Sequence, residues 1–567
     1  MPEATRETKA QRAERLKREK NPWTAIEEIR RFAREGFPSI PPEWLGTYFR
    51  WWGVYPQGDG AGVLGGQGGE GKALPYFMVR IRIPNGILRA HQLRTIADLS
   101  QRYARSIADI TVRQNIQLHW ITVEDLPDLL EALDRCGLNT LGACGDVTRN
   151  VTGCPVAGVD ADEICDASGL ALEATRMLAG NPDFYNLPRK FKISITGCRS
   201  WCSYPEINDV GLTAVQRTLG SHSEMGFSLR VGGGLSAEPY LATRLNAFVK
   251  WDQVLPVVRG IAEMFRDSQE LREHRERARL KFLFLRNDWT ADDFVRELQD
   301  RLGFRLDPAA DEQAPADVYR DHVGVHPQKQ PGLLYVGAAV LRGRIYPEQM
   351  LAAANLAERF GNGELRTTNM QNLLILNVPR QNTSALATEL NGIGLPVAAS
   401  VFWRGTIACS GTEFCKLAIT ETKSFSRWLV QELEERLPEF DQDLKLHVTG
   451  CPNSCGQHWI ADIGIEGKKL KLNGRMVDAY YFCLGGAVGK NQAIARPIGY
   501  RCTAAEVPDA IERLLRAYLA ERFTGENLRQ FFARHHNDQL RGFLAGHIIQ
   551  AVARDVPPGP VPHGLEI

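Results

Sequence analysis

Two stretches of this chain alternate apolar and polar residues and then fall into a helical rhythm. YFMVRIRI at 76–83 and LLYVGAAV at 333–340 alternate as half-buried strands do. Each leads through a turn into an amphipathic helical pattern, HQLRTIADLSQRYA or EQMLAAANLAERFG. A second strand is expected through ITVRQNIQLHWI and RTTNMQNLLILNV, with a further helix beginning after Glu124 or Gln381. Strand–helix–strand–helix is half of a ferredoxin-like unit, and two such halves can pair into one pseudosymmetric domain.

The correspondence reaches single residues. Gly86, Gln92, Leu99, Arg102, Gln114 and Asn115 meet Gly343, Gln349, Leu356, Arg359, Gln371 and Asn372 at one constant offset. Downstream, KISITGCRSWCSYPEINDVG at 192–211 lines up with KLHVTGCPNSCGQHWIADIG at 445–464 at a second constant offset. The expected fold is therefore α+β with mixed α/β parts: a pseudo-twofold duplication of two ferredoxin-like half-repeats and two α/β bodies. The expected divisions are a helical arm with a Gly-rich loop at 1–72, half-repeats at 73–140 and 323–400, and bodies at 141–322 and 401–567. The stretch GDGAGVLGGQGGEG at 58–71 reads as a flexible surface loop.

Composition narrows the function classes. Lys plus Arg number 68 against 67 Asp plus Glu, so no global charge suggests a nucleic-acid partner, and recognition must come from local patches. No apolar run approaches the ~20 residues of a membrane span. The charged N-terminus lacks the apolar core of a signal peptide, and a cytoplasmic location is expected. In a reducing compartment, cysteines point to metal sites or packing thiols rather than a disulfide framework.

Cys409-x5-Cys415 with Cys451-x3-Cys455 is the strongest chemical pattern. Four thiolates are what a cubane iron–sulfur cluster requires, and the small residues around them let backbone N–H groups approach the sulfides. Zinc is the rival, although structural zinc usually prefers two-residue spacings. The first body keeps Cys198 and Cys202, with Cys144 and Cys154 as the other pair; the nine-residue gap between these two favours a decayed site over a second cluster. Cys136, Cys165, Cys483 and Cys502 read as packing thiols, His119 as a core histidine, and VGGGLS at 231–236 lacks the context of a dinucleotide site.

ACSGTEFCKLAITETK followed by TGCPNSCGQHWIADIG resembles the cluster signature of the assimilatory nitrite and sulfite reductase family, and the duplication matches that family from about residue 40 to 540. The resemblance implies siroheme and one [4Fe–4S] cluster on Cys409, Cys415, Cys451 and Cys455, with Cys455 also the axial ligand of the siroheme iron. It implies anion-binding roles for Arg113 in TVRQN, Arg149 in TRNVTGCP, and Lys190 and Lys192 in LPRKFK, all basic because siroheme and substrate are both anionic. Met370 stands where the first half-repeat has Arg113, so the halves are expected to have specialised. Gln114, Asn115, Arg404, Lys329 and Gln330 are further candidates for siroheme contacts. The implied activity is six-electron reduction of nitrite, or alternatively sulfite. TGCPNSCGQ, VHPQKQPG and RNVTGCPVAG look more like nitrite reductases, whereas Lys192 looks more like sulfite reductases. No flavin or nicotinamide motif is present, so a reduced ferredoxin or another small carrier is the expected donor, and a monomer the expected state.

Overall fold

The computed structural model describes residues 7–58, 73–313, 315 and 319–546. The expected Gly-rich loop, beyond Gly58, lies outside the described residues, as does the tail after residue 546. The two half-repeats form two five-stranded antiparallel sheets. One runs Val54–Gly58, Ala73–Ile81, Ile116–Ile121, Ala108–Ile110, Arg344–Ile345; the other runs Gly324–Pro327, Leu333–Ala338, Leu373–Pro379, Glu364–Thr367, Ile87–Arg89.

The last strand of each sheet belongs to the other half. Arg344 pairs with Asp109, and Leu88 pairs with Leu365. The exchange explains the paired glycines. Gly86 and Gly343 have φ of 70° and 72°, and follow Asn85 and Arg342, which are also left-handed. A Cβ on Gly86 would stand 2.2 Å from the Thr367 carbonyl, and one on Gly343 would stand 2.4 Å from that of Ile110. Only glycine lets the chain cross so close to the partner sheet. The helices Ala90–Tyr103 and Pro347–Phe360 then lie together, with Arg94 2.8 Å from both Asn355 and Glu358. A single apolar core joins both halves, including Leu88, Leu93, Met350 and Leu365, to Phe32, Trp44 and Phe49 of the N-terminal arm.

The expected second strand of each half is a hairpin instead. Ala108–Ile110 turns at 111–115 into Ile116–Ile121, and Glu364–Thr367 turns at 368–372 into Leu373–Pro379. Threonine makes the turn: Thr111 Oγ1 accepts from the N–H groups of Arg113 (3.3 Å) and Asn115 (3.1 Å), and Thr368 Oγ1 does the same for Met370 (3.2 Å) and Asn372 (3.0 Å). Arg113 and Met370 are thereby lifted to hairpin tips.

Each body has its own core and a sheet that begins parallel. In the first, Ile193–Thr196 lies parallel to Val210–Leu219, followed by antiparallel His222–Val231 and Thr243–Lys250. In the second, Thr406–Ala408, Leu446–Thr449 and Ile463–Leu472 are parallel, with Arg475–Leu484 and Arg496–Thr503 antiparallel beyond them. The hairpin glutamines tie bodies to halves. Gln371 donates to the carbonyls of Ile110 (2.9 Å) and Ala408 (3.2 Å) and accepts from the Ala408 N–H (3.1 Å). Gln114 does the same with Gly153 and Thr367. Gln371→Ala should leave these buried backbone groups unpaired and destabilise the protein by about 1–3 kcal/mol. The check is the urea midpoint, and an unchanged midpoint would leave the staple without energetic weight.

Candidate active site

Parallel pairing of Ala408 with Val448 ends two strands side by side, so Cys409 and Cys451 emerge next to each other. Cys415 ends the one-turn helix Gly411–Phe414, and Cys455 follows a turn in which Ser454 is left-handed (φ 54°). The Gly450 N–H points at Cys409 Sγ (3.2 Å) and Asn453 Nδ2 at Cys451 Sγ (3.5 Å). Burial, then the charge of Cys455, pushes the Cys415 thiol up to about 12 and raises Cys451 and Cys409 as well. Buried thiols that resist ionisation release their protons when a metal centre takes them. Four thiols on two loops, with N–H donors aimed at sulfur, fit a [4Fe–4S] cluster.

Of the four, Cys455 alone is exposed. Its charge acts on Lys190 of the first body and on Arg80 of the first half-repeat, which places it near both. Arg113 donates from its hairpin tip to Asn208 Oδ1 (2.8 Å) and the Asn150 carbonyl (2.6 Å). Arg149 donates to the Gly145 carbonyl (2.8 Å). Lys190 and Lys192 flank Phe191, whose bridge to Thr148 aligns them, and neither ammonium has a hydrogen-bond partner among the described residues.

These cations disfavour one another. Burial and then Arg149 hold Arg113 down to about 9. Burial, then Arg279 and Arg189, brings Lys190 to about 7. Burial, then Arg113 and Lys190, holds Lys192 well below the usual lysine range. The carboxylate among them, Asp209, is already taken by Arg279 (2.8 and 3.0 Å) and by the Lys192 N–H (2.8 Å). Arg80, Arg82 and Arg113 each bury a guanidinium nitrogen that has no partner. Such an excess of buried donors fits a macrocycle with many carboxylates, as siroheme is.

Sequence reasoning missed the supports. Arg80 and Arg82 share one face of an otherwise apolar alternating strand, a period-two signal that was there to see. Arg279, Lys17 and Asp146 have no motif. Lys17 of the arm is fully buried, donates to the Leu187 carbonyl (2.8 Å) and lies 3.6 Å from Asp146. Asp146 in turn holds Arg189 (3.4 Å) and Arg275 (2.9 Å). The arm thus clamps the segment that carries Lys190 and Lys192.

Each of the five further candidates has a partner within the protein. Gln114 is a staple, and Asn115 Oδ1 accepts from the Ile83 N–H (3.2 Å). Arg404 is paired with Asp321 (2.7 Å). Lys329 is paired with Glu163 (2.7 Å), and Gln330 donates to the Gly158 carbonyl (2.9 Å), so both lie against the 158–163 loop. His119 is a core histidine, paired with Asp109 (2.8 Å) and stacked on Phe414, next to Cys415. Met370 meets the Tyr204 hydroxyl in an apolar cluster with Ile207, Leu235 and Ile407. Cys144 and Cys154 are not a pair: Cys144 accepts from Arg80 (3.3 Å), while Cys154 joins Cys202 (3.3 Å).

Among the described residues no helix is long and apolar enough to cross a membrane. The model of the nitrite and sulphite reductase 4Fe-4S domain matches residues 144–306 and 402–542, and that of the nitrite/sulfite reductase ferredoxin-like half domain matches 70–136 and 326–393. The chain is 37% identical to the assimilatory ferredoxin-dependent nitrite reductase of Haloferax mediterranei, over 89% of this chain and 88% of that protein. It is 39% identical to the sulfite reductase [ferredoxin] of Mycobacterium tuberculosis, over 93% and 95%. The solved structure of M. tuberculosis NirA superimposes with a TM-score of 0.87 at 37% identity, covering 93% of this chain and 97% of that one. Siroheme and a [4Fe–4S] cluster are accordingly its cofactors. With both pairs of domains matched and relatives similar along nearly their whole length, the chain belongs to the nitrite and sulphite reductase family and is an oxidoreductase.

Proposed function

We propose that this chain reduces nitrite to ammonia with electrons from reduced ferredoxin, and sulfite to sulfide less efficiently. The observation that supports it best is the basic cluster of Arg113, Arg149, Lys190 and Lys192 on the side that Cys455 faces. Relatives of near-equal similarity are named ferredoxin-linked nitrite or sulfite reductases, which supports the donor and leaves both anions in play. Cys409, Cys415, Cys451 and Cys455 would hold the cluster, with Cys455 also the ligand to the siroheme iron. When bound, the two cofactors would pass the donor's six electrons to the anion one at a time.

The chain's own residues bind the anion and manage its protons. Arg113 and Arg149 are anchored through backbone carbonyls and Asn208, so their guanidinium planes are held in place before substrate arrives. Preorganised donors of this kind stabilise charge that builds as N–O or S–O bonds weaken. Lys190, brought to about 7, can release and regain a proton at Nζ near neutral pH. The preference between anions turns on Lys192. A fully charged extra ammonium favours sulfite, which is partly a dianion near neutrality. Burial beside Arg113 and Lys190 restrains that charge, which suits the monoanion nitrite.

Arg113→Ala and Arg149→Ala should each weaken kcat/KM by an amount worth about 2–4 kcal/mol while the cluster still assembles. Steady-state rates with reduced ferredoxin and iron analysis check this, and unchanged turnover in both variants would remove them from the anion site. Protonated Lys190 both attracts the anion and donates, so kcat/KM should fall as pH rises through the Lys190 pKa near 7. Lys190→Arg, permanently charged, should flatten that limb, and an identical pH profile would assign the titration to another group. Lys192→Asn should depress sulfite reduction more than nitrite reduction, because a dianion restores the ammonium's charge more strongly. Measuring kcat/KM for both anions in both proteins decides: a wild-type preference for sulfite overturns the nitrite reading, and equal losses overturn the charge argument.

A further inference from the structure

Away from the basic cluster, the first body gathers three more thiols. Cys198 Sγ lies 3.2 Å from Cys202 Sγ, which lies 3.3 Å from Cys154 Sγ, and all three cysteines are buried. Their backbone positions repeat those of the quartet in the second body. Thr152 bridges in parallel to Ser194 as Ile407 pairs with His447, which sets Cys154 in the place of Cys409. Cys198 and Cys202 stand in the places of Cys451 and Cys455. Asp160 follows Cys154 with the spacing by which Cys415 follows Cys409, and so takes the fourth corner.

That corner is committed elsewhere: Arg320 grips Asp160 with both guanidinium branches (2.8 and 3.0 Å). Another donor takes its place. A ring nitrogen of His322 lies within 4.8 Å of the sulfurs of Cys154 and Cys202. The residue is 3% exposed, its Nδ1 sits 3.5 Å from the Tyr335 hydroxyl, and its Nε2 has no hydrogen-bond partner. A buried imidazole nitrogen without a partner is costly unless something accepts its lone pair or its proton.

The sulfur spacing sets the size of the guest. With metal–sulfur bonds of about 2.3 Å, thiolates that share one tetrahedral zinc ion stand ~3.7 Å apart. Cys202 stands within a few tenths of an ångström of that spacing from both Cys198 and Cys154. Thiolates on separate irons of a cubane stand much farther apart, and in the second body no two of the quartet's sulfurs make such a contact. We propose that Cys154, Cys198, Cys202 and His322 hold a structural zinc ion. Three thiolates and a neutral imidazole complete a closed tetrahedral shell, and binding displaces the three thiol protons. The resulting single negative charge faces Arg320, which is bound to Asp160.

The ion would act as a clip. Lys329 N–H and Gln330 Nε2 already bind the Val159 and Gly158 carbonyls, and Tyr335, Leu374 and Leu376 wall the thiols. His322 just precedes the strand Gly324–Pro327, so zinc would join the first body to the second half-repeat.

Elemental analysis of the purified holoprotein should find about one zinc per chain beside the iron of siroheme and one cluster. Cys202→Ser and His322→Ala should lower zinc content below half, with siroheme and cluster absorption retained. Cobalt(II) exchanged into the wild type should show thiolate-to-cobalt bands that Cys154→Ser loses. Wild-type protein without zinc overturns the proposal. So does iron for a second cluster, about eight non-siroheme atoms per chain, or an intact mass that reveals a disulfide among the three cysteines. The wild-type metal count decides even where a variant fails to fold.

Discussion

The constraint on which the rest of this structure depends is an excess of positive charge crowded into half-buried positions. Arg113, Arg149, Lys190, Lys192, Arg80 and Arg279 converge on one side of the first body, and Asp209 balances only Arg279 and a backbone N–H. Such an arrangement is unfavourable in an unloaded protein, since each cation is desolvated and repelled by its neighbours. It persists because surrounding groups fix the backbone that carries it. Lys17 and Asp146 clamp the lysine segment, Thr111 shapes the hairpin, and Asn150 and Asn208 anchor Arg113. On the function proposed above, cofactor and substrate, both anions, supply the missing charge.

The duplication shows how one frame acquired two chemistries. Asp462 accepts the Lys445 N–H at 2.8 Å just as Asp209 accepts that of Lys192, yet Lys445 lies over the rings of Tyr204 and Tyr319 rather than among other cations. Arg149 and Arg404 both stand five residues before a cysteine. Arg404 is neutralised by Asp321, whereas Arg149 binds only carbonyls and keeps its full charge available. Arg113 has become Met370, which fills an apolar cluster under Tyr204. One body therefore concentrates cations, while the other neutralises or removes them and keeps the complete four-thiol set.

The repeat was legible because its markers answer to backbone geometry. Gly86 and Gly343 recur where a Cβ would strike the opposite sheet, and Gln114 and Gln371 recur where one side chain satisfies three backbone groups. Identical spacing could not reveal that these residues belong to an exchange of strands, because pairing partners lie in the other half. The same markers carried a second role that spacing did not show: Gln114 and the Asn115 amide oxygen serve the backbone, and the apolar residues on either side concealed a hairpin tip. Arg80 and Arg82 were visible as charges in an apolar strand; Lys17 was not, since its role depends on a carboxylate 129 positions away in sequence.

The thiols of the first body show where spacing arguments fail. Pairing Cys144 with Cys154 treats cysteine as the only residue able to occupy a ligand corner. Strand register instead puts Cys154 in the place of Cys409, so that the spacing of Cys415 falls on Asp160, and Cys144 is left with Arg80. Once a carboxylate replaced the thiolate and Arg320 claimed it, the fourth wall of a cubane was gone, and the remaining sulfurs could close to 3.2–3.3 Å. Sulfurs at that spacing suit the single ion proposed above, and a ring nitrogen of His322 lies within 4.8 Å of two of them. On that proposal, replacement of one corner changes the nuclearity a site can hold without moving the strands that built it. In the second body Cys415 keeps the fourth corner as a thiol, as a cubane requires, and Cys455 is the exposed member of the four.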